Sequence, residues 1–283
     1  MKIAVTGGAG FIGSHIADAL LAEGHEVHII DNLIGGFLRN VSEKATFHEL
    51  DIRSEQISSL FEQEQFDVLY HKAAQMDVRK SVADPKFDAD VNVLGFLNLM
   101  EAGRKNGLKK VILASTGGAI YGEPEYAPQD ESHPIRPLSP YGITKLVSER
   151  YLYFYEQTYG INWIALRYAN VYGPRQNSHG EAGVVAIFSE RMLRNEEAFI
   201  NGDGKQTRDY VHVQDVVQAN IKALNHPDNG IYNVGTGIET DVNELFTTLQ
   251  KLTGTSIPKQ HAEGKPGEQQ RSVVGKEKIE KEM

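Results

Sequence analysis

The sequence predicts an α/β protein with a doubly wound parallel sheet and a smaller C-terminal α/β lobe. Apolar runs alternate with amphipathic segments through the first half of the chain, a pattern typical of a parallel sheet covered by helices on both faces. The first apolar run, Lys2 to Thr6, leads directly into a glycine-rich turn that opens a helix. After Gly173-Pro174 the alternation loosens. We therefore expect residues 1–173 to form the sheet domain and residues 174–283 the lobe, with an interleaved boundary.

The elements follow from apolar periodicity and from the glycines that stop helices. The first half contains six predicted strands, Lys2 to Thr6, Glu26 to Asp31, Thr46 to Leu50, Asp67 to His71, Lys110 to Ser115 and Asn162 to Arg167. Its predicted helices are Phe11 to Ala22, Ser54 to Gln65, Phe87 to Asn106 and Pro140 to Thr158. In the lobe we predict strands Ala198 to Asn201 and Ile231 to Val234, and helices Val184 to Arg194, Val213 to Asn225 and Val242 to Leu252. These lobe elements are expected to cover the carboxyl edge of the sheet, and the run Lys276 to Met283, with no partner element after it, is expected to fray.

The composition excludes several classes of protein. The 283 residues include no cysteine, so disulfides and thiolate chemistry are excluded. No run approaches the ~20 apolar residues of a membrane helix, and the N-terminus lacks a secretory signal. The net charge of −9 argues against general binding of nucleic acid. We expect a cytoplasmic protein with a small-molecule ligand.

The turn after the first strand has the spacing of a dinucleotide-binding loop. Gly7, Gly10 and Gly13 supply a tight turn, close approach to a pyrophosphate and close packing of helix on strand, with Phe11 and Ile12 between them. The helix N-terminus offers free N–H donors and a partial positive charge. Such glycine patterns also occur in structural turns, but this position between strand and helix favours a Rossmann domain.

Acidic residues at the next two strand ends indicate which dinucleotide is bound. Asp31 ends the second strand, where a carboxylate accepts hydrogen bonds from ribose hydroxyls and repels a 2′-phosphate, so NAD is favoured over NADP. The alternative is a surface turn, because Asp31-Asn32 also suits the start of a loop. Asp51-Ile52 after the third strand is a candidate adenine contact. The alternative for Asp51-Ile52 is a segment that only precedes the N-terminus of the next helix and contacts no ligand.

A tyrosine and a lysine lie four residues apart at the start of a predicted helix. Tyr141 and Lys145 therefore share one helix face, and no other tyrosine of the chain has a lysine at this spacing. A nearby ammonium favours the phenolate and would make Tyr141 a usable base. The fifth strand ends at Ser115 and Thr116, whose hydroxyls face the ligand crevice of a parallel sheet and could relay a proton. Ordinary turn chemistry is the alternative for both hydroxyls.

Together these segments resemble the extended short-chain dehydrogenase/reductase family, from Thr6 to about Val274. The resemblance rests on the segments already described and on further ones: His71 to Gln75, Val91 to Gly95, Ser139 to Tyr141 with Lys145, Arg167 to Arg175, Gly202 to Val216 and Asn233 to Gly237.

The resemblance implies roles for individual residues. Around NAD it implies the glycine turn with Asp31, Asn32, Asp51 and Ile52, and in addition Ala73, Ala74, Gln75, Asn92, Ser115, Tyr141, Lys145 and Tyr168. Around the sugar nucleotide it implies Gln75, Thr116, Tyr141, Asn170, Arg208, Glu268 and Arg271. The alternative for Asn170 is a helix-capping role. The alternative for Arg208, Glu268 and Arg271 is that they are solvated charges on the surface. No spaced cluster of His, Asp and Glu indicates a metal site.

The chain departs from the family pattern at Gly117, where many epimerases carry a hydroxyl residue close to the tyrosine. The relay must then come from Thr116, Ser115 or a water, and we predict Thr116. Gly118 and Ala119 occupy the positions where the family's dehydratases carry acids, which argues against dehydration. Ser272 is small where the sugar pocket is often bounded by a large residue, so an N-acetylated sugar would also fit.

The expected activity is inversion of carbon 4 of a UDP-hexose, UDP-glucose or UDP-galactose, through a transient 4-keto sugar. The alternatives are another sugar-nucleotide enzyme of the family, such as a uronate epimerase, a decarboxylase or a reductase, and a non-catalytic NAD sensor. The family usually dimerises through the helices Phe87 to Asn106 and Pro140 to Thr158. These helices carry the apolar residues Phe96, Leu97, Tyr151, Phe154 and Tyr155. Such residues favour a homodimer, and packing of the same residues on the sheet is the alternative.

Overall fold

The computed structural model describes residues 1–178, 183–264 and 269–283 of the chain. Its strands are β1 (Lys2–Thr6), β2 (Glu26–Asp31), β3 (Thr46–Glu49), β4 (Val68–His71), β5 (Lys110–Thr116), β6 (Asn162–Tyr168), β7 (Asn170–Tyr172), β8 (Phe199–Asn201), β9 (Thr207–Arg208), β10 (Tyr210–His212), β11 (Gly230–Val234), β12 (Thr240–Asp241), β13 (Gln260–Ala262) and β14 (Arg271–Ser272). Its α-helices are α1 (Phe11–Ala22), α2 (Gln56–Glu64), α3 (Val78–Ala83), α4 (Pro85–Ala89), α5 (Gly95–Lys105), α6 (Pro140–Tyr159), α7 (Val184–Leu193), α8 (Val213–Asn225), α9 (Val242–Thr253) and α10 (Glu277–Glu282).

The central sheet confirms the predicted fold class. Seven parallel strands lie in the order β11-β6-β5-β4-β1-β2-β3. The chain leaves β1 towards β2 on one side and returns to β4 on the other, so the strand order reverses between β1 and β4. A ligand crevice forms at the carboxyl ends of the strands beside such a reversal.

Helices cover both faces of the sheet and divide the core into two layers. On one face α1 and α8 pack against each other and bury residues such as Ile16, Leu20 and Val216. On the other face α2, α5 and α6 bury residues such as Phe61 and Phe96. Apolar residues of the strands point alternately into the two layers, which is why the strands read as continuous apolar runs in the sequence.

The boundary between the sheet and the C-terminal lobe is interleaved. The assignment of Ile231 to Val234 to the lobe was wrong, because β11 pairs in parallel with β6 and extends the central sheet. Helix α8 likewise belongs to the central domain. A smaller core between α7, α9 and β8 contains Phe188, Met192 and Phe246, and β8 pairs with β13 at its side.

The predicted long helix from Phe87 to Asn106 is interrupted. Helix α4 begins at Pro85, a π-helical turn occupies residues Asp90–Leu94, and α5 continues to Lys105. The wider turn of a π-helix changes the direction of the side chains that it carries. Asn92 lies inside this turn and faces the carboxyl edge of the sheet.

The C-terminal helix α10 packs on the central domain. Ile279 and Met283 contact the core layer of α1 and α8, and Lys222 Nζ donates a hydrogen bond to the carbonyl of Met283 at 2.9 Å. The prediction of a frayed end was therefore wrong, since the partner of this helix lies earlier in the sequence. Among the described residues, none of the helices combines the length with the apolar composition that a membrane crossing requires.

A buried ion pair joins α6 to the sheet. Arg167 on β6 donates two hydrogen bonds to the Glu149 carboxylate on α6, at 2.9 and 2.7 Å, and both side chains are 1% exposed. The Ser115 hydroxyl on β5 donates to the same carboxylate at 2.6 Å. Arg167 also donates to the Tyr121 hydroxyl, which donates to Asn233 on β11. The network therefore fixes α6 against three neighbouring strands.

We predict that Glu149→Gln lowers the free energy of unfolding by about 3 kcal/mol, because it leaves the Arg167 cation buried without a counter-charge. Urea denaturation followed by circular dichroism measures this loss. The control is Glu280→Gln, which breaks an exposed pair with Lys276 and should cost less than about 1 kcal/mol. Equal losses in the two variants would contradict the prediction.

Candidate active site

A cavity of about 1120 Å³ opens at the carboxyl edge of the central sheet and extends under the C-terminal lobe. Most of the residues predicted for the cofactor and substrate sites line it: Gly7, Gly10, Phe11, Ile12, Gly13, Asp31, Asn32, Asp51, Ile52, Ala73, Ala74, Gln75, Ser115, Thr116, Tyr141, Tyr168, Asn170 and Arg208. Lys145, Asn92 and Arg271 lie outside the lining, and Glu268 lies outside the described residues.

The glycine turn brings backbone amides to the cavity. Gly7 adopts a φ of +68°, and a Cβ atom there would lie 2.7 Å from the amide nitrogen of Ala73. A Cβ at Gly13 would collide with the carbonyl of Gly7. Helix α1 begins at Gly10 without a capping side chain among the described residues, so its first N–H groups face the cavity. This turn fits a diphosphate, which binds such a helix N-terminus.

Asp31 lies at the end of β2 and faces the same cavity. Its carboxylate accepts hydrogen bonds from the amides of Ala9, at 3.0 Å, and Leu33, at 2.8 Å. Burial nevertheless raises the pKa of Asp31. The two amides fix the carboxylate at the strand end, in the place where a ribose would meet it.

Asp51 and Asn32 form one polar group with Arg53, which the sequence interpretation did not single out. Asn32 Nδ2 donates to Asp51 at 2.9 Å, and Arg53 donates to both oxygens of Asp51 at 2.9 Å. These bonds hold the pKa of Asp51 far below its ordinary value. Ile52 is buried between this group and the core. The group therefore forms a rigid wall of the cavity beyond Asp31.

Local sequence signals place the tyrosine and the lysine. Ser139 caps helix α6 by accepting a hydrogen bond from the amide of Gly142 at 3.2 Å, and Pro140 occupies the first turn. A Cβ at Gly142 would collide with the carbonyl of Ala119, so α6 approaches the loop after β5 closely. Lys145 Nζ lies 5.8 Å from the centre of the Tyr141 ring. The expected common face is therefore present.

Burial moves both groups away from their ordinary protonation. It raises the pKa of Tyr141 to about 12; Asp88 adds to this rise, and a hydrogen bond with Thr116 opposes it. Burial lowers the pKa of Lys145 to about 8, against the opposing charges of Asp88 and Glu149. Lys145 Nζ donates to the carbonyl of Ala114 at 3.0 Å. At pH 7 the lysine is therefore still mostly charged and the tyrosine protonated.

Thr116 lines the cavity together with Tyr141, and its hydroxyl acts to lower the pKa of the tyrosine. The Ser115 hydroxyl is turned towards Glu149 instead. A Cβ at Gly117 would lie 2.7 Å from Val274 Cγ1, so a larger residue at this position would displace Val274. Thr116 therefore stays the predicted replacement for the hydroxyl that is missing at residue 117.

The substrate side of the cavity contains two of the predicted polar residues. Asn170 at the start of β7 has a buried Nδ2 atom with no hydrogen-bond partner among the described residues. Arg208 on β9 lines the cavity and donates to the carbonyl of Thr207 at 2.8 Å. Arg271 instead forms a bidentate pair with Glu239, at 2.9 and 2.8 Å, outside the cavity lining. Its predicted contact with the substrate has no support in this geometry.

Gln75 and Asn92 are held by each other and by Asp88, which the sequence interpretation missed. Asn92 bonds both the amide and the carbonyl of Gln75, at 2.8 and 2.9 Å. The Gln75 side chain donates to Asp88 and to the carbonyl of Asp77, and accepts from the Asp77 amide. Asn92 therefore supports the cavity wall from behind. The sequence did contain a signal for the role of Asp88, because this carboxylate lies one helical turn before Asn92.

The floor of the cavity contains a second lysine. Lys72 Nζ donates to the Tyr168 hydroxyl and to the carbonyl of Ile112, both at 3.2 Å. Asn220 donates to the same hydroxyl at 2.8 Å. Burial and the charge of Lys145 lower the pKa of Lys72 well below its ordinary value. Tyr168 thus contributes an aromatic wall with a fixed hydroxyl.

Among the described residues, one group with metal-ligand character lies at the opposite edge of the sheet. It comprises Glu26, His28 and Glu64. The Lys2 ammonium lies 2.9 Å from Glu64 and 3.3 Å from Glu26 and balances these carboxylates. The group is remote from the cavity.

Comparison with known proteins agrees with this geometry. A family model described as the NAD dependent epimerase/dehydratase family matches residues 3–235. UDP-glucose 4-epimerase of Mycolicibacterium smegmatis is 45% identical over 260 residues, which cover 90% of this chain and 83% of that protein.

Two solved structures are also similar. UDP-glucose 4-epimerase of Thermotoga maritima, solved with UDP-glucose, has a TM-score of 0.97 and 46% identity and covers 99% of this chain and 92% of that one. The Thermus thermophilus UDP-glucose 4-epimerase complex with NAD has a TM-score of 0.94 and 46% identity, with the same coverage. The chain belongs to the NAD-dependent epimerase/dehydratase family, which confirms the resemblance seen in its sequence.

Proposed function

We propose that this chain is an NAD-dependent epimerase that inverts carbon 4 of a UDP-hexose, interconverting UDP-glucose and UDP-galactose. The observation that carries the proposal is the position of Tyr141 one helical turn from Lys145, whose Nζ lies 5.8 Å from the ring centre. Both the tyrosine and Thr116 lie in a cavity that the glycine turn and Arg208 also line, and Lys145 lies behind the lining. Relatives with this activity cover most of the chain.

The chain's own residues would hold NAD at the glycine turn. The N–H groups at the start of α1 would bind the diphosphate and Asp31 the adenosine ribose, with Asn32, Asp51 and Ile52 beside the adenine. Ala73, Ala74 and Tyr168 would border the nicotinamide end. When bound, NAD accepts a hydride from carbon 4 of the sugar and returns it to the opposite face.

The proton of the reacting hydroxyl would leave through Thr116 and Tyr141. The Lys145 ammonium favours the phenolate of Tyr141 and so lowers the barrier to proton transfer. The transient sugar carries a ketone at carbon 4 and turns about its diphosphate before the proton and hydride return. Lys145 contributes charge from behind the lining and holds its own position through Ala114.

The diphosphate of the substrate would be held by the C-terminal lobe. Arg208 supplies a charged donor at the cavity, and the unpaired Nδ2 of Asn170 supplies a neutral one. We propose that residues 1–173 hold the cofactor and residues 174–283 the sugar nucleotide, with α8 and β11 returning to the cofactor domain. Glu268 stays a prediction for the uridine ribose.

N-acetylated hexoses stay a prediction as additional substrates. The prediction rests on the small side chain of Ser272, which lies outside the cavity lining. Gly118 and Ala119 provide no acid for elimination of water, and retention of Tyr141 and Lys145 argues against a non-catalytic sensor.

We also propose a homodimer through α5 and α6. Phe96 and Tyr155 pack on the sheet, so the interpretation of these two as dimer contacts was wrong. Tyr153, Phe154 and Tyr159 of α6 are exposed, and the rings of Phe154 and Tyr159 contact each other. Exposed aromatic residues of this kind mark interaction surfaces. The cytoplasmic location stays a prediction.

We expect Tyr141→Phe to lower kcat for UDP-galactose by at least about 100-fold while NAD and UDP-sugar still bind, because only the proton carrier is lost. Nuclear magnetic resonance of the products and calorimetric binding measure the two effects. Tyr126→Phe removes an exposed tyrosine hydroxyl outside the cavity and is the control. Full activity of Tyr141→Phe, or no epimerisation by the unmutated protein, would reject the proposed function.

Asp31→Asn is expected to weaken NAD binding about tenfold and to reduce the preference over NADP, because it removes the charge that repels a 2′-phosphate. Titration of protein freed of nucleotide, followed by intrinsic fluorescence, gives both dissociation constants. Glu49→Gln is the control, since Glu49 lies opposite Asp31 on the neighbouring strand and is exposed. An unchanged ratio of the two constants would contradict the role of Asp31.

Phe154→Glu is expected to convert the dimer to a monomer, because a charge cannot be buried in an apolar interface without a partner. Light scattering measures the mass. Leu252→Glu, at a residue that is 76% exposed on α9, is the control and should keep the mass of the dimer. A monomeric unmutated protein would exclude the proposed assembly.

A further inference from the structure

Asp88 is a fully buried carboxylate behind the active-site helix. It accepts hydrogen bonds from Gln75 Nε2 at 2.9 Å and Asn92 Nδ2 at 3.1 Å on one oxygen, and from Thr144 Oγ1 at 2.9 Å on the other. These donors are neutral, and within the described part of the chain Asp88 forms no ion pair. Burial of a carboxylate among neutral donors alone is costly.

The position of Thr144 connects this carboxylate to the catalytic pair. Thr144 lies between Tyr141 and Lys145 on α6, and its hydroxyl also contacts the carbonyl of Tyr141 at 3.0 Å. The charge of Asp88 acts on both Tyr141 and Lys145. The carboxylate therefore lies behind the helical turn that presents the two groups.

The other charged groups around Lys145 leave it short of negative charge. Burial and the charge of Lys145 lower the pKa of His71 and of Lys72, at the end of β4, well below their ordinary values, so neither supplies negative charge. Glu149 lies on the same helix, but its charge is balanced by the bidentate pair with Arg167. Asp88 is the remaining acid that acts on Lys145.

We propose that Asp88 is a positioning residue whose carboxylate keeps Lys145 protonated and fixes Gln75, Asn92 and Thr144 around the reacting groups. The inference rests on the proposed function, because it assigns the charge that the Tyr141 and Lys145 pair needs for proton transfer.

Electrostatics determines the direction in which the pH profile of kcat moves when the charge of Asp88 is removed. A neighbouring negative charge raises the pKa of a phenol and of an ammonium alike. Removal of the Asp88 charge lowers both pKa values, so the two limbs of the pH profile, which depend on these two groups, move together to lower pH. Loss of a purely structural contact lowers the height of the profile without moving it.

The test is Asp88→Asn. Asparagine keeps an oxygen for Gln75 and Asn92, and its amide can donate to Thr144 while the Thr144 hydroxyl donates to the carbonyl of Tyr141. We expect the profile of kcat to move to lower pH by about one pH unit. KM for the UDP-sugar stays within about twofold of its original value.

Two variants serve as controls. Thr144→Val removes the hydrogen bond but keeps the charge, so its profile stays in place even where its height falls. Glu62→Gln removes an exposed acid on α2 and leaves the profile unchanged. A profile of Asp88→Asn that is lower but unmoved would overturn the proposal, as would an equal movement in Thr144→Val.

A measurement on the unmutated protein keeps the inference testable where Asp88→Asn does not fold. Carbon-13 resonances of the aspartates are recorded against pH, and the proposal requires Asp88 to be ionised at pH 7. A protonated Asp88 at that pH would overturn it. This result does not depend on turnover, so failure of the proposed epimerase activity is separately visible in the product assay.

Discussion

The parallel direction of the strands is the constraint on which the rest of the structure depends. Because all seven strands of the central sheet end at one edge, residues far apart in the sequence meet there. The glycine turn follows β1, Thr116 ends β5, and Asn170 follows β6. The cavity is therefore built from short segments after strand ends, and the sheet fixes their relative positions. An antiparallel sheet would send alternate strand ends to the opposite edge.

Segments of the main chain also approach one another closely at this edge of the sheet. Gly7, Gly13 and Gly142 each lie where a Cβ would meet another part of the main chain. These contacts bring amides, helix α6 and the loop after β5 together without side chains between them. The pair of Glu149 and Arg167 then holds α6 against the sheet. Precise positions at the site thus depend on packing behind it.

The same burial that makes the site rigid controls its charges. It raises the pKa of Tyr141 and lowers that of Lys145, so each group is moved away from the form that proton transfer needs. The negative charge of Asp88 raises the pKa of both groups. The protonation of Lys145 is set by burial on one side and by the charges of Asp88 on α4 and Glu149 on α6 on the other.

The sequence by itself determined the parallel α/β fold, the dinucleotide turn and the tyrosine and lysine pair, because each depends on local spacing along one strand or helix. The prediction that Thr116 supplies the hydroxyl that Gly117 lacks also came from the sequence, since the two residues are adjacent. Only the tertiary structure decided that β11 joins the central sheet, that Arg271 pairs with Glu239, and that Asp88 lies behind α6. These features are contacts between residues distant in the chain, and no periodicity in the sequence encodes which partner a strand edge or a buried charge will meet.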